Sequence, residues 1–191
     1  MGTVKVTNIE PIADNGTVTL GSSGDTIVTG SGVTANSFGL AEADMWRLTA
    51  NLSTSGNSNT EITSNLERVD DGSFGYIGTG MTESSGVFTF PSTGIYQVMV
   101  TASFFGGLDT TFSGVQILVT TDNSTYDVAG NAYDSEANGW YGNTVNFALV
   151  DVTDTSNVKV KFRARHQNSG RIEGSTDVTH TGFMFVRLGD T

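Results

Sequence analysis

The sequence predicts an all-β protein built from antiparallel strands, and two observations carry that prediction. The first is composition, because 28 Thr and 19 Ser make up about a quarter of the 191 residues, beside 24 Gly and only 2 Pro. Thr and Val are typical of strands, whereas Gly, Asn, Ser and Asp are typical of turns. The second is periodicity: apolar and polar residues alternate in short segments separated by Gly, Asn or Asp, without a sustained helical period. Together they indicate a sandwich or jelly roll rather than a helical bundle.

The N-terminal segment differs from the rest, because residues 2–37 contain no aromatic residue. Its short β-like pieces are too small to bury a core within one chain. Two interpretations remain open: a flexible Gly/Ser leader, or a stalk whose strands pair between identical chains. Alternating Thr and Val favours the stalk, because a linker needs no β-branched residues. We therefore expect a β-rich stem at residues 1–38 and a head domain at residues 39–191. The pieces are Val4–Val6, Thr17–Leu20 and Thr26–Val28.

The strands of the head can be followed from Ala41 onward, where aromatic residues enter. Tyr96–Phe104 places large apolar residues at one parity and polar ones at the other, which predicts a half-buried strand. Thr144–Val152 is apolar at both parities, which predicts a strand covered on both faces. The other predicted strands are Met45–Leu52, Val115–Thr120, which is also apolar at both parities, Val158–Arg165 and Phe183–Leu188.

Charge and cysteine content exclude several classes of protein. The formal net charge is −11, with 9 basic and 20 acidic residues, which argues against a nucleic-acid partner. The chain has no Cys, so it has neither disulfides nor thiolate metal sites. Oligomerisation is the obvious alternative source of stability for such a β protein. Residues 1–19 lack the apolar core of a signal peptide, and no run reaches a membrane span, so we expect a soluble chain made in a cytoplasm.

One motif is more specific than composition, and it reads G-x-F-x-x-P-x-x-G-x-Y. Phe and Tyr would point inward from consecutive strands, and Pro and Gly would build the turn between them. The pattern resembles the strand-turn-strand hallmark of the complement-1q and tumour-necrosis-factor-like jelly rolls. We assign its residues structural rather than binding roles. They are Gly86, Phe88, Pro91, Gly94 and Tyr96.

The resemblance extends over residues 41–188 in order and spacing. Gly182 and Phe183 resemble the start of the family's closing strand, and they too are expected to be structural. The chain departs from the pattern at His180, where the family usually has an aromatic residue. The resemblance implies an all-β antiparallel jelly-roll sandwich that assembles as a homotrimer through apolar strand faces. A plain immunoglobulin-like sandwich is the competing fold.

The leader resembles stem segments of bacteriophage tail fibres, although this likeness is compositional. It implies a phage virion protein whose stem contacts other virion proteins and whose head contacts the host, a surface glycan being one candidate ligand. The role would be host attachment at a fibre tip or capsid decoration, two roles that the sequence does not separate. The alternative is a stand-alone carbohydrate-binding module of bacterial or phage origin.

Enzymatic activity, cofactors and metals are not expected. Nucleophile-elbow, phosphate-loop and dinucleotide-binding motifs are absent. The two histidines are interpreted structurally, His180 as a core or interface residue and His166 as a rim residue. The acidic clusters Asp70–Gly72 and Asp122–Asp127 offer oxygen ligands, but both are typical of turns rather than calcium loops.

Two candidate binding surfaces remain. A basic stripe follows one strand face, and it is either neutralised by neighbouring acids or a site for an acidic glycan or a carboxylate-rich partner. Residues 126–142 are predicted to form a polar loop rich in exposed aromatics, a composition typical of recognition surfaces. In the competing interpretation, Trp140 folds back onto the core. The stripe comprises Lys159, Lys161, Arg163 and Arg165, and the loop's candidate binding residues are Tyr133, Asp134, Glu136, Asn138, Trp140 and Tyr141.

Overall fold

The computed structural model describes residues 40–191, which form thirteen β-strands and no helix. All pairings between these strands are antiparallel, and they build two sheets. The predicted stem at residues 1–38 lies outside the described residues. The prediction of an all-β, antiparallel head is confirmed.

The larger sheet has seven strands and is organised around a long strand, β7, of thirteen residues. One edge of β7 pairs with β10 along its length. Its other edge pairs first with β13, which continues to β1 and β4, and then with β12, which continues to β2. The strands are β1 (Ala43–Leu48), β2 (Leu52–Thr54), β4 (Leu66–Arg68), β7 (Gly94–Gly106), β10 (Tyr141–Val152), β12 (Gly170–Ile172) and β13 (Gly182–Gly189).

The smaller sheet has five strands in the order β5-β6-β11-β8-β9. A further short strand, β3 (Ser58–Glu61), runs beside β11, and the following Ile62 amide donates to the Phe162 carbonyl at 3.0 Å. The five strands are β5 (Thr82–Ser84), β6 (Val87–Thr89), β8 (Thr110–Thr120), β9 (Asp127–Glu136) and β11 (Lys159–His166).

The core lies between the two sheets and is centred on Phe88, whose side chain has no exposed surface. Its ring packs edge-on against Phe162 of the same sheet at 5.7 Å and tilted against Phe185 of the opposite sheet at 5.0 Å. Phe183 and Trp46 complete this cluster. Aromatic pairs of this kind contribute beyond the area they bury. The two sheets are therefore joined around Phe88, a residue of the sequence motif.

The turns before and after β6 show why the motif has its glycines, because Gly86 precedes β6 and Gly94 begins β7. Gly86 has a φ of +83° and lies so close to the backbone of Ile62 that any side chain would overlap it. Gly94 has a φ of +140° and faces the guanidinium of Arg187 in the same way. Between them, Pro91 is part of the bend, and the Tyr96 hydroxyl is held by Ser92 at 2.9 Å. These residues fix the two turns that flank β6.

Strand β10 differs from its prediction in how it is covered. The sequence pattern of Thr144–Val152 predicted a strand covered on both faces, but only one face of β10 is buried. On the other face Val145, Phe147 and Leu149 are 58%, 66% and 68% exposed. The prediction was wrong because an apolar outer face gives the same pattern whether the chain itself or another molecule covers it.

Candidate recognition site

The strongest candidate for recognition is the turn between β9 and β10, which carries Trp140. This side chain is 69% exposed, so it does not fold back onto the core. Two backbone hydrogen bonds fix the turn against the end of β7, from Gly139 to the Gly106 carbonyl at 2.9 Å and from Gly106 to the Trp140 carbonyl at 3.3 Å. The amide of Asn138 donates to the carboxylate of Asp109 at 2.8 Å. The indole is thus presented from a well-supported turn.

A second aromatic group lies beside this turn on the outer face of the larger sheet. The Tyr141 ring is 62% exposed and packs edge-on against Phe105 at 5.0 Å. The Arg171 guanidinium lies over the other side of Phe105 at 4.3 Å and is neutralised by Glu173 at 2.6 Å. Next to Arg171 is an open cavity of about 290 Å³. The exposed side chains of Trp140 and Tyr141, beside an arginine whose charge is neutralised, suit contact with an uncharged polar ligand.

The interpretation of residues 126–142 as one recognition loop is wrong, because most of the segment is strand β9. Alternation along a strand sends successive side chains to opposite faces, so the six candidate residues separate. Tyr133 lies on the outer face of the smaller sheet, 43% exposed, beside Arg165. The half-buried Asp134 accepts hydrogen bonds from the amides of Asn143 and Ser135, and so ties β9 to β10. Of the six, only Asn138, Trp140 and Tyr141 lie together as exposed side chains, at the turn and at the start of β10.

Glu136 is a correction to the predicted binding set, because its side chain is completely buried. Its carboxylate lies 3.6 Å from His166, which was expected at the rim and is also completely buried. The His166 ring is held by Thr54 at 2.8 Å and packs edge-on against Phe104 at 5.2 Å. Ser113 donates to Glu136 at 3.1 Å. A buried carboxylate requires such partners, and strand alternation alone does not reveal them.

The basic stripe lies on the outer face of the smaller sheet, and two of its four residues have a carboxylate neighbour. Glu61 of β3 pairs with Lys161 at 3.1 Å and lies 4.0 Å from Arg163. Lys159 donates to the carbonyl of Thr155 at 2.6 Å. Lys161 and Arg163 therefore follow the interpretation of a surface neutralised by neighbours, whereas Lys159 and Arg165 have no carboxylate partner within residues 40–191.

The outer face of the larger sheet carries a continuous apolar row across four strands, which we call the methionine row. It consists of Phe147, Met99, Met184 and Met45, paired in register on β10, β7, β13 and β1. Beside β1, a cavity of about 450 Å³ is lined by Met45, Met184 and the exposed Tyr76 and Ile77. Monomeric proteins seldom expose a contiguous apolar surface of this kind. The sequence pattern did not reveal this surface as exposed.

The remaining predicted sites have structural roles or none. The Asp122 carboxylate accepts hydrogen bonds from the backbone amides of Thr125 and Ser124 and the hydroxyl of Thr120, which together lower its pKa. Within residues 40–191 no cluster of three or more His, Asp or Glu side chains is arranged to hold a metal ion. His180 is exposed rather than in the core, because it lies on the connection before β13.

In the part of the chain that the structure covers, no helix has the length and apolarity of a membrane span. No family model matches the chain, and no curated protein matches it.

Solved structures do match, at low sequence identity. Murine APRIL at pH 8.0 aligns with a TM-score of 0.57 and 14% identity, over 77% of this chain and 98% of that chain. Eiger TNF from S. frugiperda aligns with a TM-score of 0.58 and 12% identity, over 78% and 93%. The vertex protein P5 of PRD1 aligns with a TM-score of 0.50 and 15% identity, over 79% and 99%. The head therefore has the TNF-like jelly-roll fold.

Proposed function

We infer that the chain is a non-enzymatic, homotrimeric structural protein of a phage virion that contacts the host surface with the end of its head. One observation carries this proposal: the head exposes an apolar strand face and, at one end, a turn that presents exposed aromatic side chains. The structural likeness to a phage vertex protein supports the particle context. The absence of cysteine makes assembly the natural source of stability.

The apolar face fits a second copy of the same chain. It includes the methionine row and the exposed Val145 and Leu149 of β10. The edge strand β10 of one subunit would pack on the β1–β13 side of the next, where the 450 Å³ cavity beside Met45 lies. Such a contact joins two different surfaces, which form a ring when the rotation between subunits closes, and a ring of three subunits is what the family resemblance implies.

The recognition turn lies far from the point where the chain enters the head. Ala43 pairs with Val186, which pairs with Gln97 near the start of β7. Tyr141 pairs with Phe105 at the other end of the same strand. Eight residues of strand separate Gln97 from Phe105, a distance of about 26 Å. A head held at the Ala43 end would thus direct Trp140 outward.

Capsid decoration is the second candidate, and the fold permits it equally. A decoration protein attached through its stem would need no recognition turn, so Trp140 would serve packing or solubility only. A stand-alone carbohydrate-binding module would use the same turn without a particle. Host attachment, capsid decoration and a stand-alone module differ in the expected effect of removing the side chains of Trp140 and Tyr141.

The test is the double variant Trp140→Ala/Tyr141→Ala in the full chain, compared with Leu108→Ala, another exposed apolar residue at the same end. Host attachment predicts a large loss of particle adsorption to host cells with unchanged occupancy of the protein on particles. Unchanged adsorption at full occupancy would favour decoration. No association with particles would favour the isolated module.

A further inference from the structure

We propose that the outer face of the smaller sheet holds a second binding site, formed by Arg165, Tyr133 and Phe112, for a carboxylate-bearing sugar unit. These three side chains line an open cavity of about 180 Å³. The Arg165 guanidinium lies 5.3 Å from the Phe112 ring centroid, and Nη1 donates to the Tyr133 hydroxyl at 3.1 Å. The two rings meet edge-on at 5.4 Å. This proposal rests on the proposed function, because it assigns a charged ligand to a head that we propose contacts the host surface.

The lack of a carboxylate partner distinguishes this arginine. Each of the other five arginines has a carboxylate oxygen within 4.0 Å, whereas Arg165 has none among residues 40–191. This is notable in a chain with 20 acidic residues and a net charge of −11. The Arg165 side chain is exposed, and within the described residues it makes one hydrogen bond, to the Tyr133 hydroxyl. The guanidinium therefore keeps donors that suit a bidentate carboxylate contact.

A glycine gap in the sheet builds the site. Arg165 pairs with Gly114, which pairs in turn with Tyr133, so the three lie in one row across β11, β8 and β9. Any side chain at position 114 would overlap the Tyr133 ring and the Ala132 carbonyl. The missing side chain lets the tyrosine ring lie across β8 and bring its hydroxyl to Arg165. A ring lying over a glycine also protects the strand, and that structural role is the alternative tested below.

The chemistry of the site indicates the ligand. A guanidinium binds a carboxylate through two parallel hydrogen bonds, and an adjoining aromatic surface packs against the apolar face of a ring. Sugar acids, such as uronic and sialic acids, carry both groups on one unit. A densely acidic peptide is disfavoured by the net charge of −11, because repulsion grows with the number of its charges.

The site remains accessible in the proposed assembly. It lies on the outer face of the smaller sheet, whereas the methionine row lies on the outer face of the larger one. The core separates the two faces. Three sites per trimer would convert weak single contacts into useful avidity.

The experiment measures binding of the full chain to sialyllactose and to galacturonic acid, with lactose and the methyl ester of galacturonic acid as neutral probes. We expect the acidic probes to bind and the neutral ones to bind much more weakly. Arg165→Gln should weaken binding of the acidic probes about tenfold or more. Arg165→Lys should restore that binding only in part, because an ammonium group cannot form the two parallel hydrogen bonds that a guanidinium forms with a carboxylate. Lys161→Gln is the matched control, since that lysine lies on the same strand face but is paired with Glu61.

The results that would overturn the proposal are equally distinct. Equal binding of acidic and neutral probes, or unchanged binding by folded Arg165→Gln, would assign the Tyr133 ring to strand protection alone. Hexaglutamate bound as tightly as the sugar acids, and dependent on Arg165, would identify a general carboxylate site instead. Monovalent probes are read without assembly, so a monomeric chain or its absence from particles would refute the proposed function while leaving this measurement intact.

Discussion

Glu136 and His166 face each other inside the sandwich, with the carboxylate oxygen Oε2 3.6 Å from ring nitrogen Nε2 and both side chains completely buried. The pair joins β9 to β11 across β8, and it lies beneath the recognition turn, because Gly142 and Gly106 both pack against the Glu136 side chain. A bulkier residue at either glycine would meet the carboxylate. The buried pair therefore supports the turn that carries Trp140.

Removing one member of this pair should destabilise the head strongly. We expect His166→Ala or Glu136→Ala to lower the free energy of unfolding by about 3–5 kcal/mol, because the remaining group stays buried without its partner. The double variant Glu136→Leu/His166→Leu should lose less than the sum of the single changes. Urea unfolding of all variants measures both quantities, and strictly additive losses would show that the two groups do not interact.

Removing the central aromatic ring should destabilise the core without any specific effect on binding. Phe88→Ala is expected to cost about 3–5 kcal/mol, because the buried ring contacts aromatic residues of both sheets. Phe74→Ala, at a residue that is 54% exposed, is the matched control and should leave stability nearly unchanged. A Phe88→Ala protein with native stability would contradict the assignment of this residue to the core.

Introducing a charge into the methionine row should separate the subunits. Phe147 is 66% exposed in one chain, so Phe147→Asp should leave the fold intact while preventing an apolar contact with another copy. Leu108→Asp, at an exposed residue outside the row, should retain the assembly. Light scattering at micromolar concentration measures the change from trimer to monomer. A wild-type monomer, or a trimer unaffected by Phe147→Asp, would contradict this interface.

Acidification should reveal the contribution of Asp122. The lowered pKa of this carboxylate means that the folded state binds its proton less readily than the unfolded state, whose pKa is about 3.9. Its stabilising effect is thus present above pH 3.9 and is lost as the pH falls toward the folded value. Asp122→Asn should lower the urea midpoint at pH 7, and the difference from wild type should shrink below pH 3.9.

The control for this measurement is Asp127→Asn, because the Asp127 carboxylate makes no hydrogen bond within residues 40–191. That substitution should leave the midpoint nearly unchanged throughout the range. A constant difference between wild type and Asp122→Asn at every pH would mean that shape, rather than charge, accounts for the loss.

The sequence predicted the fold well where local patterns and burial coincide. Alternation identified β7 and β11, and a nearly continuous apolar segment identified β13. The Gly-Phe-Pro-Gly-Tyr motif identified the turn before β7, because φ requirements and inward aromatics leave a local signature. The candidate site was predicted less well. The sequence identified Trp140 as an aromatic residue in a polar segment. It did not predict strand β9, which places Tyr133 away from Tyr141.

The missed features depend on contacts between residues distant in sequence. Glu136 resembles a surface residue by type, and only its proximity to His166, thirty positions later, explains its burial. The exposed face of β10 gives the same apolar pattern as a covered strand. The site at Arg165 depends on Gly114 and Tyr133 in neighbouring strands, so its register had to be known first.

Oxidation of the methionine row should depend on whether the subunits are assembled. Three of the five methionines of the chain lie in this row, and each is only half-buried in a single subunit. Peroxide converts methionine to the polar sulfoxide, which an apolar contact tolerates poorly. Separated subunits would be oxidised readily and would then fail to reassemble, whereas an intact ring would shield its sulfur atoms. Mass spectrometry of peroxide-treated particles would therefore record at Met45, Met99 and Met184 whether this face is covered where the protein works.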